Sequence, residues 1–275
     1  DAWKLGLAMK DIDLDLAAKS DTLRQKAEHY INQLAAGSSI EKNPDLGVIL
    51  AEVNQACSEM NAWVKKQSLE LLNQQKLVGL LGGDHSTPLG LMQALAEKYD
   101  EFGISHIDAH ADLRKAYEDF EFSHASIMYN ALKIEQVTHL VQVGIRDYCE
   151  AELNLIGSDK RITTFFDRNI KHQQYEGSSW SAICDRIIDS LPEKVYLSFD
   201  IDGLDPKLCP GTGTPVPGGL EMEQAIYLIE KLVYSGRTII SFDLNEVGPG
   251  DDEWDANVGA RLLYKLANLC MVSNK

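Results

Sequence analysis

The sequence predicts an α/β fold in which a central, mostly parallel β-sheet lies between two layers of helices. From residue 76 onward, short apolar runs alternate with segments of helical periodicity. Such alternation is typical of buried parallel strands joined by helical crossovers. No internal repeat, low-complexity tract or linker divides the 275 residues, so we expect residues 1–275 to form a single domain.

The predicted elements fall into a helical first part and an alternating second part. Residues 16–36 and 46–72 carry apolar side chains at helical spacing and predict two long helices. The predicted strands are 76–81, 102–107, 139–145, 162–166, 194–199 and 238–244. The helices predicted between and after these strands are 88–99, 125–134, 180–191, 221–234 and 255–272.

Composition limits the classes of partner. The formal net charge of −16 at pH 7 argues against nucleic acid or an anionic membrane as a partner and would suit a cationic substrate. No apolar run approaches the roughly 18–20 residues of a membrane span. The 5 cysteines are widely scattered without a CxxC pair, which predicts reduced thiols and a cytoplasmic location.

Unusual polar clusters follow several of the predicted strands. In parallel α/β sheets, ligands bind at the carboxyl ends of the strands. The clusters are GGDHS (82–86), DAHAD (108–112), DIDGLDP (200–206) and NEVGPG (245–250). They bring histidines and several carboxylates to one edge of the sheet, where burying these groups without partners would be unfavourable.

This mixture of carboxylates and imidazoles predicts divalent metal ions. Two ions that share carboxylates would use all of these ligands, and oxygen-rich ligation with imidazoles suits Mn²⁺, with Fe²⁺, Co²⁺ or Ni²⁺ as alternatives. Structural zinc sites prefer Cys and His, and no cysteine lies in these clusters. Because two-metal centres make a hydroxide nucleophile at neutral pH, the residues alone predict a binuclear metallohydrolase.

The four motifs, in this order, resemble those of the ureohydrolase family, which includes arginases, agmatinases and formimidoylglutamases. The resemblance covers most of the chain from about residue 76 onward. It implies the three-layer α/β/α arginase-like fold, two Mn²⁺ ions per subunit and hydrolysis of a guanidine-type carbon to release urea. It also implies a small cationic guanidino substrate and a trimeric or hexameric homo-oligomer.

The resemblance also implies a role for individual residues, matched motif by motif. The implied metal ligands are His85, Asp108, Asp112 and Asp200 for the first ion, and His110, Asp202 and the shared Asp108 and Asp200 for the second. Glu246 matches the family carboxylate that pairs with the guanidinium, a bidentate role that suits a carboxylate. His124, in FSHAS, matches the proton-shuttling histidine, which can donate to the leaving amine.

The loop between the two histidine motifs predicts the substrate. Arginases hold the α-amino acid end of arginine largely through Asn and Ser in this loop, whereas residues 111–123 contain no Asn and only the Ser before His124. The loop carries Glu118, Asp119 and Glu121, whose charges would suit the free ammonium of agmatine. We therefore expect an agmatinase; in the alternative interpretation, these are ordinary solvated loop charges.

Other activities stay open at this point. Arginase, guanidinobutyrase and formimidoylglutamase activities are alternatives, since Arg114 and Lys115 could meet an anionic substrate. A metal-stabilised homologue that binds guanidines without turnover is the non-enzyme alternative. Asp147 stands where agmatinases often have Ser. The family's N-terminal strand is missing before Asp1, so we expect either that the chain was trimmed or that this edge of the sheet is built differently.

Two features resemble site residues but have simpler interpretations. The DIDLD segment (11–15) shows the alternation of the metal motifs, yet it precedes a long helical segment. Its carboxylates are therefore expected to be solvated or to lie near a helix N-terminus, where negative charge is favourable. His106 lies two residues before Asp108 and could support a metal ligand or lie in the core, and we expect it to be structural.

Overall fold

Six parallel strands form the central sheet. The computed structural model describes residues 4, 6–248, 250 and 252–275. The strands are β1 (Gly79–Leu81), β2 (Phe102–Ile107), β3 (Val137–Ile145), β4 (Ile162–Phe166), β5 (Lys194–Asp200) and β6 (Thr238–Asn245). Their order across the sheet is β1-β6-β5-β2-β3-β4. Within the described residues every neighbouring pair is parallel, which confirms the predicted fold class.

The strand bounds place the polar motifs at the carboxyl edge of the sheet. β2 and β4 have the predicted bounds, whereas β5 and β6 extend one residue further, to Asp200 and Asn245. β1 keeps only the second half of the predicted run at 76–81. Asp200 is therefore the last residue of a strand, and Asp108 directly follows one.

Helices flank this sheet. They are α1 (Leu14–Ala35), α2 (Pro44–Asn73), α3 (Leu89–Leu95), α4 (Ile127–Ala131), α5 (Glu150–Ser158), α6 (Asp167–Tyr175), α7 (Trp180–Asp189), α8 (Met222–Tyr234) and α9 (Trp254–Ser273). The helices α3 and α4 are shorter than their predicted segments. The sequence pattern did not predict α5 or α6; in α6, Ile170 is the one buried apolar residue, too few for a periodic pattern.

Apolar side chains on both faces of the sheet form the core. On one face, strand residues such as Leu197 pack with α6, α7, α8 and α9. On the other, strand residues such as Ile104 pack with α2, α3 and α4. Burying one aliphatic side chain of this size contributes about 1.5–3 kcal/mol. The predicted helical layer on each face is therefore confirmed.

The helix α1 packs on α2, with Tyr30 fully buried. The N-cap of α1 is Asp13, whose Oδ1 accepts hydrogen bonds from the backbone N–H groups of Asp15 (3.1 Å) and Leu16 (3.0 Å). The DIDLD segment therefore caps a helix, as predicted. Over the described part of the chain, none of the helices combines the length and the apolar character needed to cross a membrane.

Candidate metal centre

The candidate metal centre lies where the carboxyl ends of neighbouring strands meet. Because β6, β5 and β2 are adjacent in the sheet, the residues that follow them converge. Asp108 directly follows β2, and Asp200 is the last residue of β5. Asp202 lies in the 3₁₀ turn that follows β5, and its backbone N–H donates to the Asp200 side chain. His85 enters from the loop after β1. The predicted metal ligands are thus brought to one place by contacts between sequence-distant motifs.

His85 contacts three carboxylates through one ring nitrogen. Its Nδ1 lies 3.0 Å from Asp108 Oδ2, 3.3 Å from Asp112 Oδ2 and 3.3 Å from Asp200 Oδ2. All four residues are buried. Three carboxylates around one imidazole nitrogen form a compact set of donor atoms of the kind that a divalent metal uses.

His110 forms the second half of the centre. Its Nδ1 lies 3.0 Å from Asp202 Oδ2 and 3.5 Å from Asp108 Oδ1. Asp108 therefore directs Oδ2 to His85 and Oδ1 to His110. Donor atoms of Asp108, His110 and Asp202 lie within 4.8 Å of one another, and so do those of His85, His106, Asp108 and Asp112. The two groups share Asp108.

The electrostatics of this cluster fit a divalent cation. Burial raises the pKa of Asp112 to about 7, and the charge of Asp108 adds to the effect. Burial, with the charges of Asp108 and Asp202, raises the pKa of Asp200 well above its ordinary value. Burial opposes protonation of His110, but its contacts with Asp108 and Asp202 outweigh burial and raise its pKa to about 11. These groups hold protons that a metal cation would replace.

Two acidic residues of the site have left-handed backbone conformations. The φ angle is 53° at Asp112 and 62° at Glu246. Non-glycine residues are uncommon in this region, where they store on the order of 1 kcal/mol of strain. Hydrogen bonds hold the strained backbone: the Asp112 carbonyl accepts from Met128 N at 3.0 Å, and Glu246 N donates to Gly83 O at 2.9 Å. Both strained residues lie at the site.

Glu246 lies directly beside the metal ligands. Its Oε1 accepts a hydrogen bond from the backbone N–H of His85 at 2.8 Å, and its carbonyl accepts one from the Thr212 hydroxyl at 2.8 Å. Burial raises the pKa of Glu246 to about 7, the His85 hydrogen bond opposes this rise and the charge of Asp84 adds to it. A guanidinium at this carboxylate would favour its ionised form.

His124 lies at the open side of the site. Its side chain is exposed, it begins a 3₁₀ turn, and its ring centroid lies 5.7 Å from that of Tyr117. Partial burial lowers the pKa of His124. The charge of Asp84 opposes this shift, and the nearby imidazoles of His110 and His85 add to it. A neutral imidazole at neutral pH is suited to proton transfer.

The loop that carries Glu118, Asp119 and Glu121, here called the acidic loop, is hydrogen-bonded to α1 and α2. Asp119 Oδ2 accepts a hydrogen bond from the Tyr30 hydroxyl at 2.8 Å. The Asn54 side chain donates to the Asp119 carbonyl at 3.3 Å and accepts from Glu121 N at 3.0 Å. Glu118 and Asp119 have positive φ angles, 48° and 65°. Asp119 therefore has a partner within the protein that the sequence did not predict.

Three buried polar residues lie beside the ligands: His106, which was expected to be structural, and Ser198 and Asp243, which the motifs did not predict. His106 Nε2 lies 2.7 Å from Asp108 Oδ2, so this histidine touches the centre. The Ser198 hydroxyl lies 2.8 Å from His85 Nε2 and 3.1 Å from Asp243 Oδ1. The available signal was a polar residue inside an otherwise apolar strand, in FGISHI, KVYLSF and TIISFDL. Asp147 Oδ2 lies 3.9 Å from His110 Nε2 and is largely exposed.

The chain is similar to known proteins over most of its length. The model of the arginase family matches residues 16–268. An N(1)-aminopropylagmatine ureohydrolase of Thermus thermophilus is 34% identical over 229 residues, which are 82% of this chain and 74% of that protein. The agmatinase of Citrobacter koseri is 34% identical over 197 residues, 71% of this chain and 60% of the agmatinase. The chain thus spans less than two thirds of that agmatinase.

A solved structure has the same architecture. The arginase of Bacillus caldovelox superposes with a TM-score of 0.67 over 79% of this chain and 76% of that arginase. The two sequences are 24% identical, so this similarity shows the fold alone. It agrees with the parallel sheet and the two helical layers described above.

Proposed function

The chain belongs to the arginase family, and from this premise we propose that it hydrolyses agmatine to putrescine and urea. The family and the ureohydrolase relatives indicate a hydrolase that acts on guanidino compounds. The observation that supports a guanidino substrate here is Glu246, whose Oε1 lies 2.8 Å from the backbone nitrogen of His85. A carboxylate beside the metal ligands can hold a planar guanidinium through two parallel N–H···O bonds.

We propose two Mn²⁺ ions as the cofactor, with Fe²⁺, Co²⁺ or Ni²⁺ as alternatives. The proposed ligands of one ion are His85, Asp108, Asp112 and Asp200, and those of the other are His110, Asp202, Asp108 and Asp200. A metal pair, when bound, supplies Lewis acidity and a water molecule that is ionised at neutral pH. The chain's own side chains bind the substrate and move protons.

Glu246 is proposed to bind the substrate, and His124 is proposed to transfer a proton. Glu246 binds and orients the guanidinium, and its shielding from water strengthens the pairing. The neutral imidazole of exposed His124 takes up a proton from solvent and passes it to the amine nitrogen as the carbon–nitrogen bond breaks, since an alkylamine leaves readily only when it is protonated. The exposure of His124 agrees with this role because the amine product must depart toward solvent.

The acidic loop is proposed to bind the ammonium at the far end of the substrate. Glu118, Asp119 and Glu121 carry the negative charge. Tyr30 and Asn54 fix the position of this charge by hydrogen bonds to the loop. Agmatine lacks the carboxylate of arginine, so a cluster of anionic side chains favours agmatine and disfavours arginine.

N(1)-aminopropylagmatine is the second candidate substrate. The Thermus thermophilus N(1)-aminopropylagmatine ureohydrolase matches 82% of this chain, and the Citrobacter koseri agmatinase matches 71% of it. Its extra aminopropyl group would add a second cationic centre at the acidic loop, where more than one carboxylate is available.

A substrate panel tests the proposal. Mn²⁺-loaded protein is assayed for urea with agmatine, N(1)-aminopropylagmatine, arginine and guanidinobutyrate, and for formamide with formimidoylglutamate. We expect the highest kcat/KM with agmatine. A higher value with N(1)-aminopropylagmatine would select the second candidate, and turnover of arginine well above that of agmatine would refute both. No product from any substrate would favour a guanidine-binding homologue.

Matched variants locate the ammonium site. Glu121→Gln should raise KM for agmatine and leave KM for guanidinobutyrate, which has no ammonium, unchanged. Glu176→Gln removes an exposed carboxylate at the C-terminal end of α6 and serves as the control. Equal effects of the two substitutions on agmatine would show that the loop charges are ordinary solvated charges.

We further propose a trimeric or hexameric homo-oligomer in the cytoplasm. The family resemblance supports the assembly. The cysteines support a reducing compartment because all of them are free thiols: Cys57, Cys149, Cys184, Cys209 and Cys270. Size-exclusion chromatography with light scattering tests the assembly, and a monomer at micromolar concentration would refute it.

A further inference from the structure

A row of polar side chains crosses the sheet one layer below the metal ligands. Thr164, Gln142, His106, Ser198 and Asp243 occupy partner positions on β4, β3, β2, β5 and β6. Residues at one register position of a parallel sheet direct their side chains to the same face. Four of them are completely buried, and Thr164 is partly buried. We call these residues the polar row.

Hydrogen bonds fix the orientation of the Gln142 amide. One of its terminal atoms lies 2.8 Å from the Ala111 carbonyl oxygen, which can only accept, so that atom is the amide nitrogen. The Thr164 hydroxyl donates to the amide oxygen at 2.9 Å. The Gln142 nitrogen also lies 3.1 Å from His106 Nδ1. Because the amide nitrogen only donates, Nδ1 of His106 must accept, and it carries no proton.

This assignment determines what His106 does at the metal centre. With Nδ1 unprotonated, the proton of neutral His106 lies on Nε2, which donates to Asp108 Oδ2 at 2.7 Å. The other carboxylate oxygen of Asp108, Oδ1, accepts from the backbone N–H of His110 at 2.6 Å. Two donors therefore clamp Asp108, one on each oxygen, in the rotation that directs Oδ2 to His85 and Oδ1 to His110.

The other end of the polar row acts on His85. The Ser198 hydroxyl has one proton, which it donates to Asp243 Oδ1 at 3.1 Å. Its oxygen then accepts from His85 Nε2 at 2.8 Å. Asp243 is in turn held by the backbone N–H of Phe199 at 3.2 Å and by the Tyr196 hydroxyl. With Nε2 protonated, His85 presents the unprotonated Nδ1 that a metal ligand needs.

We propose that the polar row positions the metal ligands, and that His106 is a positioning residue and not itself a ligand. Through Gln142, His106 fixes Asp108 as the carboxylate shared by the two halves of the centre. Through Asp243, Ser198 fixes the ring proton of His85. The inference rests on the proposed metal-dependent function, so its test begins with a measurement that needs no metal.

Nitrogen-15 NMR of the histidine rings tests the protonation of His106. The full chain is examined metal-free and after addition of Zn²⁺, which is diamagnetic, and His106→Gln assigns the signal. We expect His106 to carry its proton on Nε2 in both samples, while the Nδ1 signals of His85 and His110 shift on Zn²⁺ addition. A proton on Nδ1, or a Zn²⁺-dependent shift of Nε2, would overturn the inference. If Zn²⁺ shifts no histidine signal, the proposed metal-dependent function fails instead.

Two substitutions of His106 separate the hydrogen bond from packing. His106→Gln keeps an N–H donor near the position of Nε2, whereas His106→Met fills a similar volume without a donor. We expect Mn²⁺ affinity, measured by competition with a fluorescent chelator, to fall roughly 10–100-fold for the Met variant. The Gln variant should stay within a few-fold of the original protein. Gln142→Met should weaken binding in the same direction.

The controls decide between positioning and ligation. His139→Gln replaces an exposed histidine on β3 and should leave Mn²⁺ affinity unchanged. If His106 were a ligand, both His106 variants would lose one equivalent of bound Mn²⁺. That result, or an unchanged affinity of the Met variant, would refute the positioning role. Circular dichroism checks that each variant is folded, and the NMR measurement decides the question if the Met variant is not.

Discussion

Removing divalent metal from the candidate centre should make the folded protein less stable as the pH rises. Burial opposes protonation of His110, but its two carboxylate contacts raise its pKa to about 11. Burial and the charge of Asp108 raise the pKa of Asp112 to about 7. Both folded values lie above the unfolded ones. The stability contributed by these groups is therefore complete below the unfolded pKa and is lost as the pH rises through the folded pKa.

The magnitude follows from the number of protons held. Between about pH 6.5 and pH 8 the folded protein keeps the His110 proton while the unfolded chain releases it, a difference of about 2 kcal/mol. Asp112 keeps its extra proton only to about pH 7 and adds about 0.7 kcal/mol. Burial lowers the pKa of His106 and of His124, so each unfolded imidazole releases about half a proton over this range while the folded one releases none, an offset of about 0.4 kcal/mol each. Burial opposes protonation of His85, but its carboxylate contacts raise its pKa well above the ordinary value, and this shift, like that of Asp200, acts in the same direction as the His110 shift. The sum corresponds to a fall in Tm of roughly 5 °C.

Differential scanning calorimetry of chelator-treated protein at the two pH values measures this fall. Saturating Mn²⁺ should remove it, because the metal replaces the protons and binds more tightly as the ligands lose them. The gain in Tm on adding Mn²⁺ should therefore be larger at the higher pH. The variant His110→Asn should lose the part of the fall that this histidine contributes, about 2 kcal/mol. A metal-free protein that is equally stable at both pH values, or more stable at the higher one, would refute this account.

Three further predictions concern single side chains. Glu246→Gln should lower kcat/KM for agmatine roughly 10–100-fold, since a hydrogen bond to a charged partner contributes about 1.5–3 kcal/mol, while the Mn²⁺ content by mass spectrometry stays the same. His124→Asn should lower kcat roughly 100-fold with little change in KM, as expected for a lost general acid; an unchanged kcat would remove His124 from the mechanism. Asp13→Ala should lower the free energy of unfolding in urea by about 1 kcal/mol through loss of the helix cap, and a loss of bound Mn²⁺ would contradict that role.

The fold could be predicted where the local pattern and the final environment agree. Strands β2 and β4 have the predicted bounds because each is a mainly apolar or β-branched run between two charged residues. The helix α6 could not be predicted, because its sequence DRNIKHQQY is strongly hydrophilic and buries a single apolar residue, Ile170. The first strand is shorter than its apolar run because it lies at the edge of the sheet, where it pairs only with β6 among the described residues.

The site residues that could be predicted are those in motifs directly after strands. Asp108 and Asp200 are of this kind, since a carboxylate at the end of a buried strand needs a partner wherever the strand is placed. Ser198 and Gln142 are of the other kind: their roles depend on which residue of a neighbouring strand lies opposite. The Tyr30 bond to Asp119 likewise depends on where α1 packs. Such pairings arise from tertiary structure, and a polar residue inside an apolar strand is a local signal that does not identify the partner.

The strand order has a consequence for how the protein folds. The polar row places Ser198 opposite His106 on one side and opposite Asp243 on the other, so each of these strand pairings closes a long stretch of chain. Contacts of high sequence separation form late and slow folding. A nascent chain that ends before β6 lacks both Asp243 and Glu246. The complete site can therefore form only after β6 has docked beside β5, because the Asp243 partner of Ser198 and the Glu246 carboxylate come from that strand and from the residue after it.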